Sequence, residues 1–322
     1  MPDIPDFASK HFTIEKLADG IYAAIAIDGG HAVCNAGLVD LGGRLLVFDT
    51  FVSPQAAQDL QRFITDEYGQ MPIVVVNSHY HNDHIWGNQV FAPEVPLISS
   101  TRTYELIGTS GMEEFNWYSA NTAQQLEALL SQYQDTQDEN QRKQLVLIIG
   151  EYEGVLQALP HLNVCLPNIT FDNRLEIRGR LRTAELSSYS EAHSGSDIVL
   201  YLPQDKIVFM SDLLFVGFHP YLADGDPFML LKALSELSLL NATYYVPGHG
   251  PVGSIEDVKL LIKYIEACIN IARGLVQTGQ VSQDVIQRVQ VPETFAGFQL
   301  PQFYRSNIDF LCKRLSLPQG NQ

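Results

Sequence analysis

The run His79-Tyr80-His81-Asn82-Asp83-His84 places three imidazoles and a carboxylate within six residues. It follows the apolar stretch Ile73-Val74-Val75-Val76 and is too short to serve as one face of a helix, so it reads as a strand end passing into a ligand-bearing loop. Neutral imidazole suits zinc and other first-row metals, and the carboxylate adds a harder oxygen donor. On an extended segment His79 and His81 point the same way and can reach one ion, while the turn that follows lets Asp83 and His84 face a second. With nine His in 322 residues, a chance run of this pattern has odds on the order of one in a few thousand.

Three further ligand candidates stand beside apolar runs in the second half of the chain. His193 lies in Ala192-His193-Ser194-Gly195, Asp212 in Met210-Ser211-Asp212, and His249 in Val246-Pro247-Gly248-His249-Gly250; all are expected at strand ends or in adjoining loops. His219, in Gly217-Phe218-His219-Pro220-Tyr221, follows the Asp212 strand in a loop expected to overlook the site, which makes it a candidate for substrate contact or proton transfer, with Tyr221 beside it. His11, His31 and His161 have no such context and read as surface or packing histidines. Cys34, Cys165, Cys268 and Cys312 are far apart, form no C-x-x-C pair and read as buried or semi-buried free thiols.

The elements that must carry these groups alternate between strand and helix. Residues 21–26, 36–41 and 44–49 are short β-type runs, the last two joined by Gly42-Gly43, and a helix from about Pro54 to Tyr68 precedes the strand that delivers His79. From about 101 to 160 the texture changes to two helical patterns. Leu126, Leu129, Leu130 and Tyr133 form one apolar stripe, and Leu145, Ile148, Ile149, Tyr152, Leu156 and Leu159 a second, with a turn at 135–142. This insertion is expected to act as a lid, to offer a homodimer surface, or simply to pack on the edge of the core. Strands at 197–202 and 206–210, a helix at about 226–239, a strand at 242–246 and a helix opened by Ser254 and Asp257 and running to about Gln277 complete the pattern. The expectation is an α/β chain folded as a single domain over 1–322, with a helical segment over about 254–322.

Composition narrows the partners. Hydrophobic residues at 46% and charged residues at 18% are ordinary for a globular chain with a sizeable core. The net charge of -17, from 20 Lys+Arg against 37 Asp+Glu, repels phosphate backbones and anionic membranes, so no nucleic acid and no membrane is expected. Residues 1–6 contain neither a basic n-region nor an apolar h-region, and no apolar stretch approaches the roughly 20 residues of a membrane span, so the cytoplasm is the expected location.

In order and spacing, the Asp ending an early strand, the His-x-His-x-Asp-His run, His193, Asp212 and His249 resemble the motifs of the metallo-β-lactamase-fold hydrolase superfamily. The resemblance covers roughly residues 12 to 253, with the 101–160 insertion outside it. It implies a four-layer αββα sandwich of two mixed β-sheets flanked by helices. It also implies two divalent ions, zinc first among them, with iron or manganese as alternatives. His79, His81 and His193 would bind one ion, Asp83, His84 and His249 the other, and Asp212 both, with Asp49 holding the ligands from behind. A water shared by two such ions becomes hydroxide near neutral pH and can attack an electrophilic carbonyl or phosphoryl group. Asp83 is the expected proton relay, with His219 and Tyr221 as candidate donors to the leaving group.

The expected activity is therefore dinuclear metal-dependent hydrolysis of a small ester, lactone, thioester or amide by a metal-bridging hydroxide. Zinc β-lactamases with the same run generally lack a bridging Asp, which weighs against antibiotic hydrolysis, and Phe215 stands where acyl-homoserine lactonases carry a Tyr. The stretch after Asp212 resembles glyoxalase II, without that enzyme's basic glutathione grip. The alternatives are a mononuclear iron dioxygenase of the persulfide type on the same fold, with only the first-ion ligands filled, and a β-lactamase. Trp86, Phe115, Trp117, Phe218 and Tyr221 are candidates for an apolar pocket wall.

Overall fold

A computed structural model describes residues 7–317. The first half runs β1 (Phe12–Ala18), β2 (Ile21–Ala26), β3 (Ala36–Asp40), β4 (Leu45–Phe48), α1 (Pro54–Tyr68), β5 (Ile73–Val76), α2 (Asn82–Ile85) and β6 (Leu97–Ser100). Helices α3 (Thr101–Gly108), α4 (Ser110–Asp135) and α5 (Glu139–Ala158) then intervene before β7 (Ile169–Phe171). The second half runs β8 (Arg174–Arg178), β9 (Thr183–Tyr189), β10 (Asp197–Leu202), β11 (Ile207–Phe215), α6 (Pro227–Leu237), β12 (Tyr244–His249), α7 (Ile255–Gln277), α8 (Gln283–Arg288) and α9 (Gln302–Ser316). The segment 1–6, read above for targeting signals, and 318–322 lie outside the described residues.

The strands form two mixed sheets, ordered β1-β2-β3-β4-β5-β6-β7 and β12-β11-β10-β9-β8. In the first, β1 to β4 pair antiparallel and β4 to β7 parallel; in the second only β11 and β12 are parallel. Alternating side chains fix the layers. Leu46 and Phe48 of β4 join Ile198 and Leu200 of β10 in the core between the sheets, whereas Leu45 and Val47 face Leu60 and Phe63 of α1. On β11, Ile207 and Phe209 face inward, and Val208 and Met210 pack outward with α6, α7 and α9. Helix, sheet, sheet and helix are thus the four layers expected from the sequence. No helix among the described residues is long and apolar enough to cross a membrane.

Local chemistry sets several boundaries. Ser53 caps α1, accepting from the Ala56 N–H, and Pro54 follows at a position where its missing N–H costs nothing. The Ser254–Asp257 capping box opens α7, as its spacing predicts. Along the insertion, Leu126, Leu145 and Ile149 form a small core of their own, with Leu129, Tyr133 and Tyr152 against it. Leu130 and Leu156 depart from the predicted stripes and are exposed, because the narrow contact between α4 and α5 covers only part of each face.

Phe209 fills the space between the sheets, where a side chain on Gly37 would collide with its ring. Phe209→Ala is expected to lower stability by about 3–5 kcal/mol. Leu239→Ala, at a position 85% exposed, should stay within about 0.5 kcal/mol. Urea denaturation of the two variants checks both.

Candidate metal centre

Strand ends and loops from both sheets converge on one cluster. β5 ends three residues before His79, and α2 carries Asp83 and His84. The loop between β9 and β10 supplies His193, β11 supplies Asp212, and β12 ends in His249. Asp212 was expected at a strand end, but it lies inside β11, which continues to Phe215. Ser211 before it has a left-handed φ of 47°, and the β11–β12 register is irregular on either side. This bulge turns the carboxylate toward the cluster while the strand goes on.

Asp212 divides its two oxygens. Oδ1 lies 3.2 Å from His84 Nε2, while Oδ2 lies 3.3 Å from His193 Nε2 and 3.4 Å from His249 Nε2. On one side, His81 Nδ1 lies 2.9 Å from His79 Nε2 and 3.3 Å from His193 Nε2. On the other, Asp83 Oδ2 lies 3.5 Å from His84 Nε2 and 3.4 Å from His249 Nε2. Two groups sharing Asp212 therefore have the proximity to hold a metal: His79, His81, His193 and Asp212, and His84, Asp212 and His249. Two of the donor atoms, His84 Nε2 and Asp212 Oδ1, are buried without a hydrogen-bond partner among the described residues, as befits atoms kept for an ion.

The outer atoms of the rings are anchored. Ser78 Oγ lies 2.9 Å from His79 Nδ1, and His249 Nδ1 donates to the Val33 carbonyl at 3.2 Å. Asp49 holds His84 Nδ1 at 2.8 Å, accepts from Ser211 Oγ at 3.0 Å and accepts the Ser78 N–H at 2.7 Å. One carboxylate thus ties together the loops after β4 and β5 and the bulge in β11. Such partners fix tautomer and ring orientation at metal sites.

Sequence reasoning missed three contributors. Asp224 accepts from Tyr80 Oη at 2.9 Å and lies 3.1 Å from His81 Nε2; no motif surrounds it. Asp197 binds the loop at His193 and Ser194 through their N–H groups and through Ser194 Oγ, and its position four residues after His193 was the available signal. Cys34, read as an ordinary thiol, groups with Asp83 and His84, its Sγ donating to the Asp83 carbonyl at 2.8 Å.

A cavity of about 610 Å³ opens beside the cluster, bounded by the β2–β3 loop, α4, α5 and the loop after β11. Phe218 and Tyr221 line it as expected, with Tyr221 at 38% exposure. Trp86 does not: it is buried with Phe115 and Tyr118 packed edge-on around it. Phe115 belongs to that small core, and Trp117, on the outer side of α4, is 46% exposed. Helix periodicity turned these rings away from the cavity. His219 lines the cavity with Nδ1 3.0 Å from Tyr264 Oη, and burial lowers its pKa to about 4.

Burial opposes charge on every ligand, but the carboxylates reverse the outcome for some. Burial holds His79 well below the usual histidine range and His193 at about 4. For His81 burial is outweighed by the Asp224 hydrogen bond and the charge of Glu114, and the pKa rises to about 9. His84 and His249 are likewise raised against their burial, by Asp83 and Asp212 among others. In turn, the histidines outweigh burial at Asp83 and Asp212, which stay below the ordinary carboxylate range.

The description "Metallo-beta-lactamase superfamily" belongs to a family model that matches residues 29–249. No curated protein sequence matches the chain. Among solved structures, a metallo-beta-lactamase from Pontibacter korlensis is 18% identical with a TM-score of 0.56, covering 79% of this chain and 99% of its own. TMB-1, solved in a study of substrate and inhibitor binding, is 15% identical with a TM-score of 0.57, covering 80% and 98%. The inverting sec-alkylsulfatase Pisa1 from Pseudomonas sp. is 16% identical with a TM-score of 0.68; the match spans 96% of this chain and 51% of that enzyme.

Metal must displace protons from His81, His84 and His249, whose carboxylate neighbours favour the charged ring against its burial. Zinc binding to metal-free protein is therefore expected to release protons and to tighten as pH rises toward 9, the value for His81. Calorimetric titration in buffers of different ionisation enthalpy measures the proton count. Asp49→Asn should weaken metal binding by roughly 10- to 100-fold, the usual loss when an outer partner of a ligand is removed, which a competitive chelator titration reads.

Proposed function

Because the chain belongs to the metallo-beta-lactamase superfamily, we propose that it is a dinuclear metal-dependent hydrolase acting on a small ester, lactone, thioester or amide. The observation that carries this reading is the division of Asp212, whose two oxygens face imidazoles of two groups. His79, His81 and His193 would hold one ion, Asp83, His84 and His249 a second, and Asp212 both. Bound ions supply a water acidic enough to act as nucleophile at neutral pH and polarise the acyl oxygen.

The remaining work falls to side chains. Asp83, half-buried between His84 and His249 and held below the ordinary carboxylate range by them, is placed to accept a proton from the attacking water and pass it on. Tyr221, on the cavity wall, is the candidate donor to the leaving group. His219 cannot serve as a cationic acid near neutral pH, since burial keeps it neutral; its place is in positioning substrate at the wall. Phe215 stacks on His249 at 5.2 Å and packs 5.7 Å from His193, keeping water away from one side of both rings.

The dioxygenase alternative needs only the group around His79, and it leaves the pairing of His84 and His249 with Asp212 unexplained. An alkyl sulfate and a β-lactam antibiotic both present an anion. Among the described residues no Lys or Arg lines the cavity to receive one, so the likeness to the alkylsulfatase and to the metallo-beta-lactamase from Pontibacter korlensis is kept to the fold.

Purified protein is expected to hold close to two metal equivalents and to lose ester or lactone hydrolysis on chelation. Asp212→Ala should release at least one equivalent and lower kcat/KM by at least about 100-fold, since loss of even an outer partner costs up to that much. Metal-replete, folded protein inert toward a panel of esters, lactones, thioesters and amides would sink the reading.

A further inference from the structure

Away from the ligand cluster, the charged side chains of the cavity wall are all acidic. Helices α4 and α5 contribute Glu114 and Glu151 to it, and the loop after β2 adds Asp28, while no Lys or Arg among the described residues lines it. Glu114 Oε2 accepts the Asn82 N–H at 3.1 Å, and Glu151 Oε1 accepts from Tyr118 Oη. Each carboxylate has acceptor capacity beyond those bonds. Burial raises both to about 7, so charging them in this cavity is costly until a cation arrives.

A second feature of the same cavity points to a bound molecule. Asn82 lines the cavity at 5% exposure, and its side-chain Nδ2 has no hydrogen-bond partner among the described residues. Its Oδ1 is already occupied by the Asp83 N–H. A buried amide donor left over between two candidate ligands suits an acyl oxygen. Acyl oxygen toward Asn82 and positive charge toward Glu114 and Glu151 give a substrate two ends.

We propose that the cavity selects substrates carrying an ammonium group, which Glu114 and Glu151 receive while the acyl group lies at the ligand cluster. Tyr118 lines the same wall, and an aromatic side chain beside carboxylates favours alkylated ammonium. The volume of about 610 Å³ holds a molecule of this size. The net charge of -17 draws cations toward the protein and repels anions at longer range. The identity of the scissile bond rests on the function proposed above; the preference for a cation does not.

The test pairs acetylcholine with neohexyl acetate, its uncharged isostere with carbon in place of nitrogen, on metal-replete full-length protein. Acetylcholine is expected to exceed the neutral ester in kcat/KM by at least about tenfold. Glu151→Gln and Glu114→Gln are each expected to shrink that ratio, with metal content measured alongside. Calorimetry with choline and neohexyl alcohol reads the preference without turnover. Hydrolysis of both esters at equal efficiency, or equal binding of the two alcohols, overturns the proposal and leaves the hydrolase reading standing. Tight choline binding with no ester turnover does the reverse. Loss of metal in the Gln variants with the ratio unchanged overturns it too, since the carboxylates would then serve the ions.

Discussion

Asp212 is a buried carboxylate at 5% exposure with an imidazole against each oxygen, and the rest of the molecule is arranged so that this can be so. An unpaired charge in that position would cost several kcal/mol. His84 reaches it from α2, which follows β5 of the first sheet, and His193 and His249 from the loop before β10 and the end of β12 in the second. Sheet packing therefore determines whether the carboxylate is compensated. The approach is tight: a Cβ on Gly248 would lie 1.8 Å from Asp212 Oδ1, so the residue before His249 must be glycine. The same glycine's carbonyl accepts the Asn35 N–H, fixing the β2–β3 loop to the end of β12.

The parts of this arrangement that were legible in the sequence are those governed by local rules. Helix α1, the capping box of α7 and strands β2, β5 and β10 follow from cap residues and apolar runs within a few positions of each other. The grouping of His79, His81, His193 and Asp212, and of His84 and His249 with Asp212, came from motif order, since no local pattern links residues more than a hundred positions apart. What escaped was either irregular or distant. The bulge at Ser211 depends on the partner strand, so apolar patterning ended the strand too early. Edge strands β7 and β8 carry little apolar signal because one or both of their faces meet water. Asp224 and Cys34 acquire meaning only through folded neighbours, His81 for one and Asp83 and His84 for the other.

Electrostatic compensation here is layered. Asp49 and Asp224 stand behind the rings of His84 and His81, so the cluster of imidazoles is enclosed by carboxylates on its outer side as well as at its centre. Such enclosure favours cations in the interior and makes the metal-free protein a protonated one. The cavity wall extends the same sign outward through Glu114 and Glu151. A fold of this kind is compatible with many substrates; the sign of the wall is a property of this chain's insertion, and it excludes more than the ligand motif does.

The insertion is built into the site. On α5, Gly150 meets the backbone of Gly29, and Gly154 meets His31; a Cβ at either position would lie within 2.9 Å of those atoms. The loop pressed against those glycines also provides the Val33 carbonyl that holds His249 and the Cys34 thiol that bonds the Asp83 carbonyl. Moving α5 away would thus disturb two candidate ligands along with the cavity wall. Close backbone packing of this sort opposes hinge motion, because any opening forfeits these contacts. Of the roles expected for the insertion, a lid, an interface or plain packing on the edge of the core, the first would have to break these contacts of α5. Its packing suits a fixed wall that sets the shape and charge of the cavity before any substrate enters.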